Sequence, residues 1–192
     1  MKKRKNGRRK GANGERTVAK LLQDWWKSVA PGVQFARTPL SGGWSNADVR
    51  QGFHVSGDVV CTEEAFPFSV EIKRRENWSP EFLVSGKQSP VWGWWRQSLT
   101  QSIESKKEPM LWLRRNSERM RSDGMKRLGA SSPVWLVMVS KSFWDSIPGL
   151  PYPDVVWDAD TLNRSGVDFW GILPVGIMSY RLLAIDPKIF LK

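Results

Sequence analysis

Apolar residues first recur at helical spacing at Val18, Leu21, Leu22 and Trp25, an i, i+3, i+4, i+7 stripe that predicts a buried helix face. Asn13 suits the N-cap of that helix, which is expected to run to about Lys27 before Pro31-Gly32 breaks it. Glu15 lies near the buried stripe, three residues before Val18, where an acid is costly without a partner. The macrodipole of a helix start is one account of Glu15; a functional site is the other, and acids further along the chain favour it. Residues 33–38 read as a short strand, followed by the flexible turn Ser41-Gly42-Gly43. Residues 58–62 and 66–74 read as two strands joined tightly through Glu63-Glu64, which predicts an antiparallel hairpin. A second helix is expected over 89–106, with Gly93 a local weakness, and apolar strands over 110–113 and 134–139. From Ser142 onward Pro and Gly interrupt the pattern, with 182–185 and 189–191 as candidates for an edge strand or a dimer contact. The order α-β-β-β-α-β-β predicts a mixed α/β domain with helices packed on a sheet.

The chemistry concentrates on two runs, Gly57-Asp58-Val59-Val60 and Val70-Glu71-Ile72-Lys73. Alternation along a strand sends Glu71 and Lys73 to one side and Val70 and Ile72 to the other. A hairpin would let Asp58 meet Glu71 on that side. Two adjacent carboxylates repel, and a hard divalent cation such as Mg²⁺ relieves the repulsion. The pattern therefore predicts a metal-dependent phosphodiesterase site, with a solvated strand face as the bland alternative for Glu71-Ile72-Lys73.

Composition narrows the chemistry. His54 and Cys61 are the only histidine and cysteine, which leaves no disulfide framework, no Cys-based zinc site and little scope for a Ser-His design. No apolar run is long enough to span a membrane, the start lacks a signal-peptide stretch, and cytosolic chemistry on oxygen ligands is expected. Seven of the 30 Lys and Arg (Lys2, Lys3, Arg4, Lys5, Arg8, Arg9 and Lys10) fall in the first ten residues, so the net charge of +11 is largely local. A flexible basic arm over 1–12 suits nucleic-acid phosphates, and a second basic segment near 115–132 reads as an insertion in a core spanning 13–141. Residues 142–192 read as a C-terminal extension. Of the 12 tryptophans, Trp25, Trp112 and Trp135 are expected in the core or a dimer contact; Trp92, Trp94 and Trp95 suit either a core or a base-stacking surface.

Taken together, Gly14-Glu15, Arg37 followed by Ser41-Gly42, Gly57-Asp58, Glu71-Ile72-Lys73 and a Gln-bearing helix before an apolar strand resemble the PD-(D/E)xK nuclease superfamily. Within it the order is most similar to archaeal-type and phage Holliday junction resolvases, over roughly residues 11–140. The usual proline before the first acid is Gly57 here. The resemblance implies a restriction-endonuclease-like α/β fold: a mixed sheet with an antiparallel hairpin and flanking helices. It implies that Asp58, Glu71 and the Ile72 carbonyl bind Mg²⁺ or Mn²⁺, with Glu15 acting through water. Lys73 would orient or deprotonate the attacking water, Ser41 would lie near the scissile phosphate, and Gln97, with Gln101 as rival, would be the helical glutamine. Lys and Arg of the arm with Arg37, Arg74 and Arg75 would contact DNA. A symmetric homodimer cutting four-way junctions follows, in the cytoplasm of a bacterial, archaeal or virus-infected cell, associated with the nucleoid and with no membrane partner. Other PD-(D/E)xK substrates, or binding without catalysis, are the competing functions.

Overall fold

The computed structural model describes residues 6–38, 54–76, 78, 89–115, 135–157 and 172–191. The first helix, α1 (Asn6–Trp26), starts seven residues before the expected cap. Asn13 is interior to it: its carbonyl accepts from Thr17 Oγ1 four residues on, and its side chain accepts from Arg16. Residues 6–12 of the expected arm therefore belong to this helix. Its stripe is buried as predicted through Val18, Leu22 and Trp25, and Trp26 is fully buried beside them. Gly14 brings α1 close to the sheet, since a Cβ there would meet the Trp135 ring at 3.3 Å and Arg74 Cδ at 3.5 Å.

Three short strands follow: β1 (Phe35–Arg37), β2 (His54–Ser56) and β3 (Val59–Cys61). They form one antiparallel sheet in the order β1-β3-β2. The larger sheet contains β4 (Phe68–Arg75), β5 (Glu108–Arg115), β6 (Leu136–Ser140), β7 (Val155–Val156) and β8 (Pro174–Met178), in the order β4-β5-β6-β8-β7. Only the β4–β5 pair is parallel. This is a mixed α/β architecture of the restriction-endonuclease-like kind.

The antiparallel hairpin is present but differs in its partners. It joins β2 to β3, with Ser56 opposite Val59, whereas residues 58–62 and 66–74 form no ladder with each other. Gly57 makes a single parallel bridge to Val70 on the free edge of β4 instead. A positive φ of 74° turns the chain there. It ends one strand and starts the next, so the tight Glu63-Glu64 join links two sheets.

The second helix, α2 (Pro90–Ser105), matches its prediction. The Ser89 side chain caps it by accepting from Val91 N, and Lys106 closes it in the left-handed region. Its buried face, Val91, Trp92, Trp95 and Leu99, packs with Leu111, Leu113 and Met138 on one side of the sheet. Opposite it, α1 packs with Val70, Ile72, Met110, Trp112, Val137 and Ile177. Trp25, Trp112 and Trp135 are core residues, and Trp92 and Trp95 are buried rather than displayed for stacking.

The segment beyond 142 contributes directly to this sheet. After α3 (Lys141–Asp145), β8 lies between β6 and β7. Gly176 is required in β8, because a Cβ would lie 2.9 Å from the Trp157 ring. The stretches considered for an edge strand are not strands: α4 (Ser179–Leu182) ends at the first residue of 182–185, whose remainder is turn and bend, and a 3₁₀ turn over Pro187–Phe190 takes in residues 189 and 190 of the second. Asp186 caps that turn by accepting from Lys188 N, and Pro187 supplies a first-position φ. Phe190 is thereby buried against Trp25 and Phe68.

Candidate active site

The site forms where the Gly57-Asp58 crossing lies along the free edge of β4. Asp58 N donates to Val70 O at 2.7 Å, and Asp58 Oδ2 accepts from Ile72 N at 2.8 Å. These bonds satisfy an otherwise open strand edge and fix the first acid beside the second. Just after β1, Thr38 binds the same segment: its N–H donates to Asp58 O at 2.9 Å and its hydroxyl to Gly57 O at 2.8 Å. Only glycine fits the crossing, since a Cβ on Gly57 would lie 2.3 Å from Val70 O.

Alternation on β4 turns Val70 and Ile72 toward the α1 side, while Glu71 meets α2. Glu71 is 1% exposed. Its Oε1 is ion-paired with Lys73 and accepts from Gln97 Nε2 at 3.0 Å. Gln101, one turn further along α2, also acts on this carboxyl. The other oxygen, Oε2, is buried with no hydrogen-bond donor.

Burial pushes Asp58 and Glu71 above the usual carboxylate range, and the Asp58 charge raises Glu71 further. Lys73 opposes both shifts. Glu15 is raised by burial and then by Asp58, and is eased by Arg37, whose Nε lies 3.0 Å from Glu15 Oε2. Since α1 begins at Asn6, Glu15 is not in a first turn, and the macrodipole account of it falls; its partner is Arg37.

Two buried carboxylates in one another's field, one with an unpartnered oxygen, form a donor set that a hard divalent cation fits. Among the described residues no three His, Cys, Asp or Glu side chains are grouped as a metal cage. The structure thus brings Glu15, Asp58, Glu71, Lys73 and Gln97 to one edge of the sheet. Ser41 and Lys2, Lys3, Arg4 and Lys5 lie outside the described residues, as do residues 116–132 of the basic insertion. Arg8, Arg9 and Lys10 fall in the early turns of α1, Arg74 packs near Gly14, and Arg75 is exposed at the end of β4. Sequence reasoning missed Thr38 and the engagement of Arg37 with Glu15; neither follows from any spacing, because the partners meet only once α1 and β1 are packed.

A family model described as "Phage putative PDDEXK endonuclease" matches residues 6–147, a span that includes every described site residue named above. No curated protein and no solved structure matches the chain. No helix among the described residues is long and apolar enough to cross a membrane.

Proposed function

The chain belongs to the phage PDDEXK endonuclease family, matched over well more than half its length, and from that premise we propose a Mg²⁺-dependent DNA endonuclease that resolves four-way junctions as a homodimer. The observation that supports the metal-dependent reading is Glu71: buried, held at one oxygen by Lys73 and Gln97, unpartnered at the other, and adjacent to Asp58. Asp58, Glu71 and the Ile72 carbonyl would hold Mg²⁺ or Mn²⁺, with Glu15 acting through water. Bound there, the cation supplies positive charge against the negative charge that builds on the phosphoryl and leaving oxygens.

The remaining roles belong to the chain itself. Lys73 stays beside the acids through its ion pair with Glu71, where its ammonium orients the attacking water, or its amine, once deprotonated, takes that water's proton. Gln97 fixes the plane of the Glu71 carboxyl from α2. Ile72 N holds Asp58 in register with that carboxyl. Ser41 is proposed to approach the scissile phosphate, while the basic N-terminal residues, Arg74 and Arg75 take up DNA phosphates and release counterions.

The test is cleavage of an end-labelled four-way DNA junction beside its matched linear duplex, with Mg²⁺, in wild type and Asp58→Ala. Paired symmetric cuts in the junction alone, lost in the variant, are expected. Cutting of both substrates retains a nuclease of the repair or restriction-like type and removes junction selectivity. Binding with no cleavage of either would overturn the catalytic reading.

A further inference from the structure

Arg37 pairs with one of the acids at the site in a way that the proposed reaction alone does not require. It ends β1, and the next residue, Thr38, is hydrogen-bonded to both carbonyls of the Gly57-Asp58 segment, so Arg37 is tied to the chain that carries the first acid. Its guanidinium reaches across to α1 and pairs with Glu15 at 3.0 Å. Both side chains are about one-quarter exposed (23% and 22%), so the pair sits at the rim of the site rather than beneath it. The charge of Arg37 acts on Asp58 as well as on Glu15. The described acids do not form a three-carboxylate group.

We propose that Arg37 is the resident counter-ion of the acid cluster in the metal-free protein, and that it is exchanged on loading. The divalent cation takes over the acids, and the freed guanidinium takes a backbone phosphate of the DNA. This rests on the metal-nuclease reading above. A guanidinium does not give way by losing a proton, so Arg37 leaves Glu15 only for another anion, and a phosphodiester matches its planar fork. Cation and DNA then favour one another, because each removes what the other must displace, and the coupling is reciprocal. Arg37 is accordingly a positioning residue that couples loading of the site to substrate, not merely another basic contact.

Mn²⁺ binding to the metal-free full chain, without DNA and at fixed pH and salt, tests this by the loss of the free-ion electron paramagnetic resonance signal. Arg37→Gln should tighten Mn²⁺ binding at least about fivefold, the lower range of ordinary site coupling. Arg16→Gln removes an equal charge from an exposed neighbour of Glu15 that is bonded to Asn13, and should change it far less. Glu15→Gln gives an independent arm. By freeing Arg37 it should strengthen metal-free binding to a labelled four-way junction and steepen the salt dependence by about one unit of slope.

Unchanged or weaker Mn²⁺ binding in Arg37→Gln, or an unchanged salt slope in Glu15→Gln, overturns the exchange. If wild type binds Mn²⁺ and Asp58→Ala does not, such a result removes this inference alone. If wild type takes up no Mn²⁺, the metal reading falls with it.

Discussion

Replacing Gly57 by alanine is the sharpest perturbation of this site that removes no charged group. The residue combines a φ of 74° with a Cβ direction that points at backbone: the new carbon would lie 2.3 Å from Val70 O and 2.8 Å from Val70 C. The left-handed conformation costs an L-residue about 1–2 kcal/mol. Relieving the clash means drawing the crossing away from β4, which breaks the Asp58 N to Val70 O bond, worth about 0.5–1.5 kcal/mol. Together these amount to about 1.5–3.5 kcal/mol, or a fall in Tm of about 3–14 °C for a chain of this size. Asp58 moves with the crossing, and a misplacement on the order of 1 Å costs about 100-fold in rate.

Calorimetric melting and single-turnover cleavage read the two effects separately. Gly32→Ala is the matched control: nothing lies within 4 Å of its Cβ position, so its melt should stay close to wild type. A Gly57→Ala protein that melts within about 1 °C of wild type and cleaves at the same rate would refute the argument that this crossing positions the first acid.

Other perturbations probe the electrostatics and the core. Burial holds the folded Asp58 and Glu71 carboxyls above their ordinary values of 3.8 and 4.5, so the folded state keeps protons that the unfolded chain releases. Their contribution is therefore fully present below those values and is lost as pH rises through the raised folded ones. Asp58→Asn retains an acceptor for Ile72 N; it should flatten that decline, raise the metal-free Tm at pH 7, and abolish stabilisation by Mg²⁺. Calorimetry across pH with and without Mg²⁺ checks all three. Gln97→Ala should lower kcat about tenfold with little change in binding, since Lys73 still holds Glu71; a larger loss from Gln101→Ala alone would reverse the two glutamines. Gly176→Ala pushes a methyl into the Trp157 ring and should cost about 1–3 kcal/mol in denaturant melts without altering cleavage per folded molecule.

How much of this was legible in the sequence depends on whether the deciding contacts are local. Helix α2 was, because Ser89, Pro90 and the spacing of Val91, Trp95 and Leu99 act within a few turns of chain. The neighbouring placement of Asp58 and Glu71 was also legible, but through the wrong pairing. A short Glu63-Glu64 join reads as a hairpin, and only the φ of Gly57 shows that β3 turns back to β2 instead. The start of α1 was misread because Asn13 is a strong cap by type, yet Gly14 serves packing against Trp135 and the helix runs on through Lys10 and Ala12. Strand β8 was missed because Pro174 and Gly176 read as breakers, when Gly176 is demanded by a ring from a different segment, Trp157. The Glu15–Arg37 pair leaves no trace in spacing, since it exists only after α1 and β1 are packed.

The position of β8 also sets an order of events during synthesis. All the acids of the site have left the ribosome well before residues 174–178, yet β6 has an open hydrogen-bonding edge until those residues pair with it. A nascent chain that has reached only the end of the family match at residue 147 thus carries every described catalytic candidate on an unfinished sheet. Val137, Val139 and Phe143 then still lack the cover of Val175, Ile177 and Phe190. Such an edge invites pairing with other chains, so translation that stalls in this interval yields a sticky, unclosed nuclease rather than a working one.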